Sequence, residues 1–369
     1  MPVKVCHITT VHKPNDNRIF YKECISLKNA GYDVSLIVAG QEDHVVDGVK
    51  IYGIKKGKSR PSRIFITAFF RAFRKALSLK CEVYHFHDTE LIPAGLMLRI
   101  LGKKVIYDIH ENNPAALLSR PYLKIKFFRV ILSKMVHVFE KISVPFFSAI
   151  ITARPDISLR FRKKKKFLLR NFPILPDLDN IPELNYQKTK KSAIYVGGMS
   201  QIRGTKELIS AFENLEDVEL WLLGGFDSKA FENECKQLAG WKNVVYFGSV
   251  EPFEIFSYIK NADLGIITFL PKPNHLTTLA TKPFEYMACG LPLIMSDFEY
   301  WKSFFKDSSD YVNPENSEEI ANAIRTLIGD PSRMARMAEK NSSLSKNDYN
   351  WDSDSRNLFD CYNIILKKK

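Results

Sequence analysis

TKPFEYMACGLPLIMSD, residues 281–297, starts like a helix, stops at Gly290 with Pro292 just beyond, and runs on as an apolar strand. Proline is tolerated in a first helical turn and glycine closes a last one, so the spacing predicts a helix over 281–289 and a strand over 291–297. The same alternation recurs outward from it. Upstream lie SAIYVGG (192–198), a helix at about 204–214, VELWLLGG (218–225), a helix near 228–239, NVVYFGSV (243–250), a short helix at about 252–260 and LGIITFL (264–270). Downstream comes a helix at about 316–328. The first half repeats the theme, with strands at 3–9, 33–39, 49–54, 83–87 and 104–110 and helices at about 16–31, 61–79 and 90–101. Such alternation argues for an α/β chain of parallel sheets covered by helices.

A length of 369 residues favours two domains. Residues 171–191 (NFPILPDLDNIPELNYQKTKK) hold three prolines and no periodicity, and read as the linker. It parts an N-terminal domain (1–170) from a C-terminal one (192–345), and a last helix is expected over 346–369. A hydrophobic share of 45% excludes a disordered chain. Six scattered cysteines without a CxxC pair or metal-ligand spacing favour a reduced, cytoplasmic protein. The opening MPVKVCHITT reads as a buried strand rather than a signal peptide, and no apolar run is long enough to span a membrane.

In open α/β sheets ligands collect at the carboxyl ends of strands, and two loops there stand out. In YVGGMSQIRGTKELISAF (195–212), Gly197 and Gly198 allow close backbone approach, and Arg203 offers a fork of donors to a phosphate just before a helix; the alternative is a plain strand-to-helix turn with a surface arginine. In HLTTLATKPFEYMACGLP (275–292), Thr281 stands at the N-cap position, and Lys282 follows it. A cation at a helix N-terminus opposes the macrodipole by about 0.3–1 kcal/mol, which points to an anion bound there; the alternative is a solvated lysine. Glu285 can accept two hydrogen bonds from a cis-diol such as ribose, or simply complement the dipole.

At these loops the chain resembles the retaining glycosyltransferases of family 4, the glycosyl transferases group 1, through VGGMSQIRG (196–204) and FEYMACGLPLIMSD (284–297). HITTVHKPNDNRIFYKECISLKNAGYDVSLIVAG (7–40) and VIYDIHEN (105–112) extend the resemblance over nearly the whole chain, in a branch of bacterial surface-polysaccharide type. The resemblance implies a GT-B fold: two Rossmann-like parallel-sheet domains facing across a cleft, with the final helix packing back toward the N-terminal domain. It implies that Glu285 binds the donor ribose and that Arg203 takes the place of a diphosphate-binding lysine. Thr278 and Leu279 would hold the distal phosphate by their backbone, and His110 would face the donor sugar as the catalytic histidine. The family's first glutamate falls on Thr277, and its arginine before the helix falls on Gly198; Lys282 is the candidate replacement for that missing cation. Asp16 and Arg18 in the first strand-to-helix loop, and the pair His87 and Asp88, are acceptor-side candidates; a helix cap is the other reading of Asp16, and a structural role that of the pair. The implied reaction is retaining transfer of a sugar from a nucleotide-diphosphate donor, UDP-linked by family frequency, to a hydroxyl of a lipid-diphosphate-linked glycan acceptor, as in O-antigen, capsule or exopolysaccharide synthesis. Helix N–H groups and fixed cations stabilise the leaving diphosphate, so neither a metal nor any other cofactor is expected.

The formal net charge of +13 is unevenly placed. Residues 54–81 carry nine Lys/Arg and no acid, residues 117–170 are net +12, and the remainder is net −8. SRIFITAFFRAFRKALSLK (62–80) sets Ile64, Phe65, Ala68, Phe69, Ala72, Phe73 and Ala76 on one face; YLKIKFFRVILSKMVHVFEKISVPFF (122–147) repeats the theme, and RFRKKKKF (160–167) adds a cationic cluster. Basic amphipathic helices with aromatic faces suit an anionic membrane surface; the alternative is apolar faces packed on the sheet beneath solvated lysines. The expected place is therefore the inner face of the plasma membrane, with peripheral attachment. No nucleic-acid-binding motif is present, and no nucleic acid is expected as partner. Three other readings stay open: a nucleotide-sugar epimerase, another GT-B phosphosugar enzyme, or a basic protein that binds anions or nucleic acid.

Overall fold

A computed structural model describes residues 2–59, 62–118, 126–162, 165–251 and 254–367. It divides into two compact units, Met1–Asn171 together with Trp351–Lys369, and Phe172–Asn350.

The first unit is built on an eight-stranded sheet: β1 (Lys4–Thr9), β2 (Asp33–Ala39), β3 (His44–Val46), β4 (Val49–Ile54), β5 (Val83–Phe86), β6 (Lys104–Ile109), β7 (Ala149–Thr152) and β8 (Lys166–Leu168). Its order is β3-β4-β2-β1-β5-β6-β7-β8, and all neighbours are parallel except the short β3–β4 hairpin. The chain builds outward from β1 to β4 on one side, then restarts at β5 on the other, so the switch point lies between β1 and β5. These strands are apolar on both faces because helices cover both. Along β1, Cys6 and Ile8 join the core beneath the helices over 63–78 and 92–100, whereas Val5 joins the core beneath those over 17–29 and 351–366. The last helix, Trp351–Leu366, is a full member of this unit: Trp351, Leu358, Cys361 and Tyr362 are buried in its core, and the Trp351 indole donates to Ser26 Oγ at 2.8 Å.

The second unit holds a six-stranded parallel sheet: β9 (Lys191–Val196), β10 (Val218–Leu223), β11 (Val244–Gly248), β12 (Leu264–Ile267), β13 (Leu293–Ser296) and β14 (Asp310–Val312). The order β11-β10-β9-β12-β13-β14 puts the switch point between β9 and β12. The proline-bearing stretch 171–191 holds only a short helical turn, Leu178–Asn180, and it packs on this unit through Phe172, Leu184 and Tyr186.

The basic helices bury less of their apolar surface than the packed alternative implies. In 63–78, only Thr67, Ala68, Ala72 and Ala76 are buried, while Phe65 and Phe70 stand 65% and 57% exposed. Small residues face the sheet there, Phe69 and Phe73 are half-buried, and Phe65 and Phe70 face outward. The helix Lys126–Ser143 exposes Phe127, Phe128, Met135, Val138 and Ile142. Parts of the basic stretches, 60–61, 119–125 and 163–164, lie outside the described residues, as do 252–253 at the start of the short helix expected near 252–260. Among the described residues, no helix is long and apolar enough to cross a membrane. All six cysteines are free thiols.

Candidate active site

In the second unit the loop after β9 and the loop after β12 pack directly on each other. Leu270 N donates to Ile202 O at 3.1 Å, and a Cβ on Gly204 would meet Thr268 O at 2.0 Å. Gly204 also sits at φ +69°, so glycine is required there both for conformation and for space. Arg203, immediately before it, lays its guanidinium over the Phe269 ring at 5.7 Å and donates from Nη1 to Gly198 O at 2.9 Å. Gly197, at φ +147°, and Gly198 keep the turn under the guanidinium free of side chains. Arg203, Gly197 and Gly198 are thereby gathered at the switch point of this sheet, beside the segment that follows β12.

That segment comprises the short helix Pro273–Thr277, an irregular stretch, and the helix Lys282–Ala288. Thr277 is exposed; its hydroxyl donates back to Pro273 O at 3.3 Å. Thr278 is fixed through its carbonyl, which accepts from the Trp301 indole at 2.7 Å, and Leu279 packs partly against the core. Thr281 holds the N-cap position, but its side chain makes no capping bond and its backbone is already helical, which corrects the expected cap. Lys282 Nζ and the Glu285 carboxylate pair with each other one turn apart. The two charges that the sequence offers separately, to phosphate and to ribose, thus neutralise each other here. Both stay part-exposed, so neither is locked away from a ligand.

In the first unit, strand parity puts His7, His85, His87 and Asp108 on one face of the sheet at the β1/β5 switch point, with His7 and His85 in direct register. The helix over 17–29 covers them with Arg18 and Glu23, and the last helix covers them with Tyr362. All of these side chains are buried. Arg18 donates to Asp108 from Nε and Nη2 at 3.1–3.2 Å, and from Nη1 to Leu169 O at 2.8 Å. His87 links His7 Nδ1 at 2.9 Å to His110 Nε2 at 3.0 Å, and His110 Nε2 also lies 3.1 Å from Asp108 Oδ2. His110 is half-buried, with its Nε2 edge held inward.

Burial opposes the Asp108 carboxylate, but Arg18 and then His110 outweigh it and hold its pKa well below the ordinary range. Burial pushes the His7 and His85 imidazoles well down and His87 down to about 4, so these rings are uncharged at neutral pH. Burial, reinforced by Asp108, pushes the Glu23 carboxyl well up.

The four acceptor-side candidates make these contacts, with Asp16, His87 and Asp88 matching the alternative readings of a helix cap and a structural pair. Arg18 is sealed in this network and clamps Asp108. Asp16 caps the helix, its Oδ1 accepting from Arg18 N and Ile19 N at 2.9 Å each, while Oδ2 faces His12 Nδ1 at 3.1 Å. Asp88 is buried, and its Oδ2 accepts from Thr10 N at 2.6 Å and Thr9 Oγ1 at 3.0 Å, tying the loops after β1 and β5 together. His87 lies inside the histidine chain behind His110. The sequence pattern does not single out His7, Glu23, His85 or Tyr362; for the two histidines the available signal is a polar residue at a buried position of an otherwise apolar strand.

The whole chain has the fold of the GT-B glycosyltransferases. It aligns with sucrose-phosphate synthase from Thermosynechococcus elongatus at a TM-score of 0.74 and 15% identity, each chain being covered in full. A glycosyltransferase from Rickettsia africae gives 0.72 and 13%, again over both full chains. HepE from Anabaena, in a structure that holds UDP, gives 0.69 and 13% over 98% of this chain and 100% of its own. Residues 177–344, which lie inside the second unit, match the family model of glycosyl transferases group 1. No curated protein sequence matches the chain.

Proposed function

We propose that this protein moves a sugar from a nucleotide-diphosphate donor, UDP-linked, to a hydroxyl of a lipid-diphosphate-linked glycan, with retention at the anomeric carbon. One observation carries the reading: the Gly197–Gly198–Arg203 turn packed on the 268–285 segment at the β9/β12 switch point, within the stretch that matches glycosyl transferases group 1. UDP in the related HepE structure supports the choice of nucleotide. Cleavage of a sugar–diphosphate bond leaves negative charge on the departing phosphate. Arg203 and Lys282 are the cations that stabilise it, with backbone groups at Thr278 and Leu279, and Glu285 exchanges its lysine for the ribose hydroxyls. Departure builds positive character on the anomeric carbon, and the acceptor hydroxyl attacks from the same face as its proton passes to the leaving phosphate. His110 hydrogen-bonds the donor sugar, its ring fixed from behind by Asp108 and His87. The exposed aromatic and basic helices of the first unit bring the enzyme to the inner leaflet, where a lipid-linked acceptor resides.

The test is a thermal-shift series against UDP-, GDP- and ADP-sugars. A native-state ligand raises the apparent melting temperature as its concentration passes Kd. A UDP-sugar is expected to stabilise the protein and the other two to do so weakly. No shift with any nucleotide-sugar removes the proposal, and donor consumption without an acceptor redirects it to an epimerase.

A further inference from the structure

Behind His110 the first unit buries a second constellation, of which the proposed transfer uses only His87, as a support for the His110 ring. His7, Glu23, His85 and His87 each bring one donor atom to a common point, and these four atoms all lie within 4.8 Å of one another. His7 Nδ1 and His85 Nε2 stand 3.9 and 3.8 Å from Glu23 Oε2, and His87 Nε2 is 2.9 Å from His7 Nδ1. Around a tetrahedral zinc ion, with bonds of about 2.0–2.2 Å, neighbouring donor atoms stand about 3.4 Å apart, which falls inside this spread.

Three features separate this cluster from an ordinary buried polar network. Neither Glu23 oxygen accepts a hydrogen bond, although the side chain is wholly buried. Arg18 Nε lies 3.0 Å from Glu23 Oε1, but its single proton is directed to Asp108. His85 Nε2 is likewise buried without a hydrogen-bond partner. Buried atoms left unsatisfied in this way destabilise a fold. The outer edges of the rings, by contrast, are held. Tyr362 Oη lies 3.1 Å from His85 Nδ1 and 3.3 Å from His7 Nε2, and His87 Nδ1 lies 3.0 Å from His110 Nε2, with Asp108 Oδ2 beyond at 3.6 Å. A phenol has one proton, so at least one of the two rings must donate to it and turn a bare lone pair inward. Outer-edge partners that fix ring orientation and tautomer are what ligating histidines have.

We infer that His7, Glu23, His85 and His87 form a closed structural site for a divalent transition ion of the zinc class. Three imidazoles and one carboxylate suit that class in ligand type and number. The full burial of all four leaves no open position for a substrate, so the ion's task is structural: it ties β1, β5 and the covering helix together and holds His87 against His110. The site stands apart from the proposed transfer reaction and survives if that proposal fails. The competing occupant is a proton shared between Glu23 and Asp108.

The experiment measures metal in untagged protein after gel filtration in chelator. About one zinc per chain is expected, because a closed site exchanges only on unfolding. Glu23→Gln and His85→Gln are expected to lose it, whereas His44→Gln, at an exposed histidine outside the cluster, keeps it; circular dichroism checks each fold. Should the first two variants fail to fold, wild-type protein refolded with cobalt(II) serves instead, and visible absorption of a low-coordinate ion with nitrogen and oxygen ligands is expected. Folded wild-type protein that holds no stoichiometric metal and gains none on refolding with zinc or cobalt overturns the inference and leaves the shared proton. A folded His85→Gln protein that keeps its metal overturns it equally.

Discussion

Lys282 and Glu285 face opposite demands in the free and the liganded protein. Without donor they pair with each other; with donor, the proposed function gives one to phosphate and the other to ribose. Arg203 has no carboxylate competitor among the described residues: it bonds the Gly198 carbonyl, lies over the Phe269 ring and reaches the Tyr195 hydroxyl. Removing a charged hydrogen-bond donor costs about 1.5–3 kcal/mol, so Arg203→Ala is expected to weaken UDP binding about 10- to 100-fold by calorimetry, with the fold intact. Lys282→Ala loses a phosphate contact but releases Glu285, so its loss should be smaller than that of Arg203→Ala. Unchanged binding in Lys282→Ala would show that the pair stays closed when donor binds. Asp354 offers a test by pH. It is buried at the start of the last helix, one of its oxygens accepts nothing, and burial, opposed by Arg170, pushes its carboxyl up to about 6. Between the ordinary aspartate value of about 4 and that value the folded state keeps a proton that the unfolded chain releases, so stability falls as pH rises through this window. Asp354→Asn is therefore expected to stabilise the protein at neutral pH, by up to about 3 kcal/mol, and to change little at pH 4. Urea denaturation across that range checks both the sign and the window. These residues were not equally legible: Arg203 and Glu285 stand in contiguous motifs, whereas the histidine cluster draws its residues from three strands and two helices, and only the folded sheet brings them together.

At the scale of elements, the strands legible in the sequence are the longer apolar runs, such as DVSLIVA at 33–39, which leaves one reading. The hidden ones are short: β3, β8 and β14 have three residues each and β7 has four, too few to show a period. The helix Pro331–Asn347 was hidden for a different reason: most of its seventeen residues are polar and only Met337, Asn341 and Ser345 are buried, so no apolar stripe announces it. Within the site, the contact between the β9 and β12 loops is the joint on which phosphate binding depends. Its tightest point is Gly204, where a methyl group would collide with the Thr268 carbonyl and the backbone adopts a left-handed conformation. Gly204→Ala is expected to destabilise the protein by about 1–3 kcal/mol and to weaken donor binding along with it, because Arg203 moves when the loop shifts. A variant that loses stability but binds UDP as before would show that the loop contact does not position Arg203.

At the scale of the whole molecule, the charge is divided by segment: both strongly basic stretches belong to the first unit, while the rest of the chain is net acidic. The apolar residues beside them are not all core, since Phe127 and Phe128 are 70% and 58% exposed and the helix that carries them buries little else. Solvated lysines alone would explain the charge, but not phenylalanines held in water next to it. Each basic residue near an anionic leaflet contributes about 1 kcal/mol, and each aromatic that leaves water adds about 1.5–3 kcal/mol at full burial, so both sets acting together are needed for stable attachment. Wild-type protein is expected to float with phosphatidylserine vesicles at low salt and to detach partly at high salt, which screens the charges but not the aromatics. Replacing Phe65, Phe70, Phe127 and Phe128 by serine should abolish flotation while leaving the melting temperature and UDP binding unchanged, because these side chains are exposed and lie outside the donor site. Flotation that survives the four replacements would assign attachment to charge alone, and wild-type protein that never floats would remove the membrane from its function.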